Sequence, residues 1–237
     1  VESYLAASIL GAWPVPINFR YGRRELTHIA KDATLKALLY DEPVAGIVDA
    51  LDAAGSDGGP CRIFVGEGEP PSDVLRYDDL LDEPFTEQVY IAPDDIHTIS
   101  YTSGTTGLPK GALYTHLNTI CGGFLGTVMG FGLRSSDVFM TTTPLCHRVG
   151  QSRLINSLGL GGTLVVMPHF EPDKLIELTD RFGGTVLSLV PTMARRFVEA
   201  AQRRNWDGGS LRIILFTGEA LPAALRKTVM DAFPRAI

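Results

Sequence analysis

The chain lacks the marks of several large protein classes. No run of lysine or arginine is longer than two, and the net charge is −6. A nucleic-acid partner, whose phosphates call for clustered cations, is therefore not expected. No apolar run reaches the roughly 18 residues of a membrane-spanning helix, and no signal peptide is read. Cysteine is scarce: Cys61, Cys121 and Cys146 are odd in number and at no metal-like spacing. They read as free thiols in a reducing cytoplasm. No Ser-His-Asp or Cys-His set is visible along the chain, and there is no short internal repeat. There is also no initiator methionine: an apolar helix, Tyr4 to Leu10, begins in mid-pattern, and the expectation is a cut end.

What is present concentrates in one segment, Tyr101-Thr102-Ser103-Gly104-Thr105-Thr106-Gly107-Leu108-Pro109-Lys110-Gly111. The β-branched run Ile96–Tyr101 before it predicts a strand, and Ala112–Thr115 after it predicts a second. Glycine lets backbone N–H groups turn inward and approach a phosphate closely. The hydroxyls of Thr102, Ser103, Thr105 and Thr106 add donors and can face a metal ion. Lys110 brings a compact positive charge, and Pro109 stiffens the approach to it. A flexible linker would not need a Leu-Pro-Lys-Gly exit between strands. The Walker spacing G-x-x-x-x-G-K-[ST] is missing too, because Pro109 precedes the lysine and Gly111 follows it. The segment reads as a phosphate cradle in a hairpin.

Strands alternate with helices elsewhere, which predicts parallel, doubly wound α/β subdomains. With 237 residues, 45% hydrophobic and 20% charged, the chain suffices for one large domain or two small ones. The division is expected near residue 136: a first subdomain, 1–136, holding the phosphate loop, and a second, 137–237. In the first, a helix at Ser3–Gly11, a short strand at Trp13–Asn18, a helix at Glu25–Ala33, a strand at Ala37–Tyr40, a helix at Val44–Ala54 and a strand at Arg62–Val65 are predicted. A surface excursion spans Gly66–Pro93, and a helix spans Asn118–Leu133. In the second, strands are predicted at Val138–Thr142, Gly162–Met167, Thr185–Val190 and Leu211–Phe216. The helices between and after them start at about Gln151, Pro172, Pro191 and Pro222, the three prolines as first-turn residues.

Over Tyr101–His116 the sequence closely resembles the glycine-rich signature of the adenylate-forming enzymes, which include acyl-CoA synthetases, aryl-CoA ligases and peptide-synthetase adenylation domains. Pro144-Leu145-Cys146-His147 resembles the family's Pro-Leu-Phe-His. Gly161-Gly162-Thr163, Val190-Pro191-Thr192-Met193 and Thr217-Gly218-Glu219-Ala220-Leu221-Pro222 also fit. The resemblance covers essentially the whole chain. It implies a carboxylic acid activated by ATP as acyl-AMP and then passed to CoA as co-substrate, most like a fatty-acid–CoA ligase. It implies Thr102, Ser103, Gly104, Thr105, Thr106, Gly107 and Lys110 around the phosphates, with Thr102 contacting Mg2+. Gly218, Glu219 and Ala220 would border adenine, and His147 would line the route between acyl pocket and CoA. Cys146 and Arg148 depart from the family's pattern, and Arg148 either pairs with an anion or lies on the surface. His116 reads as structural, and His28, His97 and His169 as surface or packing residues.

The family's Tyr-Gly-x-Thr-Glu motif, its ribose aspartate and the catalytic lysine of its C-terminal domain do not occur in these 237 residues. The expectation is therefore an N-terminal fragment with little or no turnover alone, and with a sheet edge open to self-association. An aryl-CoA ligase, a peptide-synthetase adenylation domain and a non-catalytic nucleotide-binding module stand as alternatives. The acid itself is not legible.

Overall fold

The computed structural model describes residues 1–52, 59–81, 88–102 and 107–237. The chain forms two compact units, Val1–His116 and Leu117–Ile237.

In the first unit, α1 (Glu2–Ile9), α2 (Arg23–Asp32), β1 (Ala37–Tyr40), α3 (Ala45–Asp52), β2 (Cys61–Phe64) and β3 (Leu75–Arg76) follow in order. The three strands pair in parallel. Helix α2 buries Leu26 and Ile29 and turns its charges to water, as the 3.6-residue period requires. Leu26, Leu38, Tyr40, Val48, Phe64 and Val74 form one core. β4 (Ile96–Thr102) and β5 (Lys110–Thr115) make a separate antiparallel pair, so this unit is not wholly doubly wound. The strand expected at Trp13–Asn18 is absent, because Pro14 and Pro16 lack the N–H that a ladder needs. The segment runs beside β4 instead: the Pro14 carbonyl accepts the Ile99 N–H at 3.1 Å and the Thr98 hydroxyl at 2.8 Å. The expected excursion Gly66–Pro93 contains β3, and its residues 82–87 lie outside the described residues.

The helix expected at Asn118–Leu133 is broken into α4 (His116–Asn118), a π-helical stretch Thr119–Leu125 and α5 (Gly126–Phe131). Gly122, Gly123 and Gly126 weaken the regular ladder there. The opened turn lets other groups come close: a Cβ at Gly123 would sit 3.0 Å from Arg148 Nη2, and one at Gly159 only 2.5 Å from the Phe124 ring. These contacts join 117–131 to the second unit, whereas residue 136 marks only the approach to the next strand.

That unit continues with β6 (Val138–Thr141), α6 (Arg148–Leu160), β7 (Thr163–Val166), α7 (Pro172–Phe182), β8 (Val186–Leu189), α8 (Pro191–Arg203), β9 (Ile213–Phe216) and α9 (Ala223–Ala232). The sheet is parallel, in the order β7-β6-β8-β9. Side chains alternate between its faces. Phe139, Val186, Ile213 and Leu215 pack with Leu133 on one side. Met140, Leu187, Leu189 and Ile214 pack with Leu175, Phe197, Leu225 and Val229 of the helices on the other. Both faces are covered, the usual condition of parallel strands. Pro172 and Pro191 open α7 and α8 as expected, but Pro222 is the N-cap residue of α9, with ψ 138°. At the amino edge of the sheet, Asp137 accepts from Arg212 Nε at 2.8 Å, the Thr185 hydroxyl at 2.8 Å and the Arg134 N–H at 2.7 Å. Burial alone would raise its pKa; these donors hold it below 3.8. Among the described residues no helix is long and apolar enough to cross a membrane.

Candidate functional site

The phosphate-loop segment leaves the end of the β4–β5 hairpin. Thr102 and Lys110 are partners in its last rung, both exposed. Ser103, Gly104, Thr105 and Thr106 lie outside the described residues. Gly107 has φ +100°, which a residue with a Cβ rarely adopts. The loop's exit is anchored from below. The His28 Nε2–H donates to the Pro109 carbonyl at 2.9 Å, and the tautomer follows because a carbonyl only accepts. The Tyr101 hydroxyl donates to Asp32 at 2.6 Å. Burial, then the Asp32 carboxylate, push the Tyr101 pKa well above 10.0. Ile29, Ile99 and Tyr101 pack together beneath the hairpin. Gly111 is needed for closeness, since a Cβ there would meet Ile99 Cγ2 at 2.9 Å. His97 is buried, 3.0 Å from Ser8 Oγ and edge-on to Tyr4 and His116. His97 therefore packs, one of the two roles, surface or packing, expected for it.

In the second unit the strand order reverses between β6 and β8. In open α/β sheets such a switch point places a crevice outside the carboxyl ends of the strands. The Pro144–His147 turn follows β6 at that point. His147 is exposed and caps α6 in extended conformation, with φ −95° and ψ 147°. Its N–H donates to the Pro144 carbonyl at 3.0 Å. Gly150 lets this turn press on the helix: a Cβ would stand 2.5 Å from the Pro144 oxygen. One strand further along, the Thr217 N–H donates to Leu189 at 3.2 Å and continues the β9 ladder. Gly218 then turns at φ +87°, and Gly218, Glu219 and Ala220 are all exposed. The nominated residues of each unit thus sit on a loop at a strand end.

The inside of α6 holds polar side chains that no sequence motif marks. Gln151, Arg153 and Asn156 are buried, at 1%, 3% and 0% exposure. Among the described residues, both side-chain polar atoms of Gln151 and Asn156, and Nε and Nη1 of Arg153, have no hydrogen-bond partner. Burial alone brings the Arg153 pKa down to about 10. The available signal was polar residues at 151–153 and 156–157 in a helix between apolar strands. A further cavity of about 330 Å3 in the first unit is lined by Ile17, Tyr21, Leu26, Tyr40, Val48 and neighbours, and by none of the nominated residues. Among the described residues no group of three or more His, Cys, Asp or Glu is placed to hold a metal.

Comparison with known proteins agrees with this architecture. The chain is 29% identical to a 4-coumarate–CoA ligase of Humulus lupulus, over all of the chain and 44% of that protein. It is 29% identical to a long-chain-fatty-acid–CoA ligase of Mycobacterium tuberculosis, over 94% of the chain and 43% of that protein. It superposes on an anthranilate CoA ligase in complex with anthranoyl-AMP with a TM-score of 0.88, at 25% identity, over 98% of the chain and 45% of the other. The chain thus spans a little under half the length of the curated relatives it matches. The description "AMP-binding enzyme" fits residues 1–237 without a break, and the chain belongs to that family of adenylate-forming enzymes.

Proposed function

We propose that the protein containing this chain is an ATP-dependent acid–thiol ligase of the acyl-CoA synthetase kind. A carboxylate oxygen of the acid attacks the α-phosphorus of ATP, pyrophosphate leaves, and acyl-AMP forms. The CoA sulfur then attacks the acyl carbon, AMP leaves, and the thioester forms. The carrying observation is the hairpin that ends on Thr102 and Lys110, with Gly107 turned into a conformation only glycine tolerates easily. Residues 102–107 would hold the β- and γ-phosphates through backbone N–H groups and hydroxyls, and Lys110 would offset their charge. Mg2+ suits this site through one protein hydroxyl, that of Thr102, because magnesium retains most of its water. Gly218–Ala220, small and exposed, would let the adenine ring lie against backbone. His147, at the mouth of the second unit's crevice, would line the passage of acyl group and CoA.

An aromatic acid as substrate is the second reading, supported by the 4-coumarate and anthranilate named for two relatives. Acid-dependent ATP–pyrophosphate exchange by the full-length protein, with aliphatic and aromatic acids compared, tests both. Lys110→Ala is expected to lower exchange roughly 100-fold with little change in stability, since the side chain is exposed and acts on developing charge. Nucleotide binding without exchange for any acid would overturn the proposal in favour of a non-catalytic module. The 237-residue chain alone is expected to exchange far more slowly than the full-length protein.

A further inference from the structure

Arg153 is a cation in the interior with its partner unaccounted for. It lies at 3% exposure on α6, and among the described residues its Nε and Nη1 touch no acceptor. Among the described residues no carboxylate pairs with it, while Arg62, Arg203, Arg204, Arg212 and Arg235 all have one. A buried charge without a counter-charge is among the most unfavourable arrangements a fold can hold. Asn156 lies three residues on, hence on the same helix face, and is itself fully buried with both amide atoms unpartnered among the described residues. A fork of guanidinium donors beside a free amide matches one chemistry above others, a carboxylate bound bidentately. Position says where that carboxylate would belong. His147 is the N-cap of α6, just beyond the carboxyl end of β6, and Arg153 is six residues further along. At 1.5 Å per residue that is about 9 Å of axial rise, the depth of a small acid's far end rather than of its reacting end.

We propose that Arg153, with Asn156 beside it, binds a second carboxylate on the acid substrate, so that the preferred substrate is a dicarboxylic acid. This rests on the ligase reading above, and one arm of its test does not need catalysis. The full-length protein would be given unbranched α,ω-dicarboxylic acids of three to eight carbons and the monocarboxylic acids of matching length. In pyrophosphate exchange, a diacid is expected to exceed its matched monoacid by roughly 10,000-fold, the discrimination expected where a buried polar group would otherwise stay unpaired. Arg153→Met is expected to abolish that preference and Arg153→Lys to restore part of it. Exchange that favours monoacids would overturn the inference and leave the ligase reading intact.

Exchange with no acid at all would sink the ligase reading, and melting curves would still decide the role of Arg153. The preferred diacid should raise the melting temperature of the native protein and not that of Arg153→Met. An equal rise with the matched monoacid, or no rise with any diacid, would overturn the inference. Without ligand, Arg153→Met should melt higher than the native protein, because an uncompensated buried charge is gone. A lower melting temperature would mean that Arg153 is satisfied inside the fold, and would equally overturn it.

Discussion

Thr102 and Lys110 face each other across an antiparallel ladder and are eight positions apart in the chain. His147 and Gly218 instead leave the carboxyl ends of parallel strands, where Phe139 pairs with Val186 and Leu189 with Phe216. The first loop is local: hairpin register alone brings its two ends together, and α2 then buttresses it through His28 and Asp32. The second pair exists only after crossover helices have returned the chain to the sheet. A local loop advertises itself in sequence because every residue of the motif has its own job. A strand-end loop shows little, since what fixes it is contact with segments far away in the chain.

This contrast can be broken most directly at Gly150. If the Pro144–His147 turn depends on close approach to α6, Gly150→Val should destabilise the full-length protein by about 3 kcal/mol through overpacking against backbone. The denaturant midpoint measures it, and an unchanged midpoint would mean that the turn is free to move. On the hairpin side, Tyr101→Phe should lose about 1 kcal/mol with the Asp32 bond. The effect has a pH signature. The folded pKa of Tyr101 lies above the unfolded value of 10.0, so its contribution is complete below pH 10. Above that the unfolded chain sheds the proton while the folded one keeps it, and stability falls as pH rises. Denaturant midpoints between pH 9 and 11 should show a shallower alkaline decline for Tyr101→Phe. The smallest effect is expected from His28→Ala, about 0.5–1 kcal/mol, read as a weaker apparent affinity for ATP at nearly unchanged maximal exchange. A loss of maximal exchange instead would place His28 closer to the chemistry than a buttress.

Particular residues show why legibility differed. Lys110, Gly107 and Thr102 were nominated from their neighbours in sequence, and the structure puts them at the end of one hairpin. Gly218 was nominated only through resemblance, because a strand-to-helix turn with a glycine is common. Sequence alone offers His28 only a surface or packing role; its bond to Pro109, 81 residues away, leaves no periodic trace. The apolar residues of Trp13–Asn18 predict a strand, but two missing N–H groups prevail over that pattern. The pattern over 118–133 predicts a continuous helix, yet its glycines allow a π-helical stretch that admits Arg148. Arg153 looked like one more polar residue in a helix, since sequence gives its charge and not its depth.

By itself the sequence determined most of the element types, the hairpin that presents Thr102 and Lys110, and the absence of a Walker loop. Those depend on β-branching, glycine, proline and spacing, which act over a few residues. Only the tertiary structure decided which strands became neighbours, that β6 and β8 flank the switch point, and that Arg153 is buried with no counter-charge among the described residues. Parallel pairing and burial are long-range quantities, set by which distant apolar faces exclude water together, and no short window of sequence contains them.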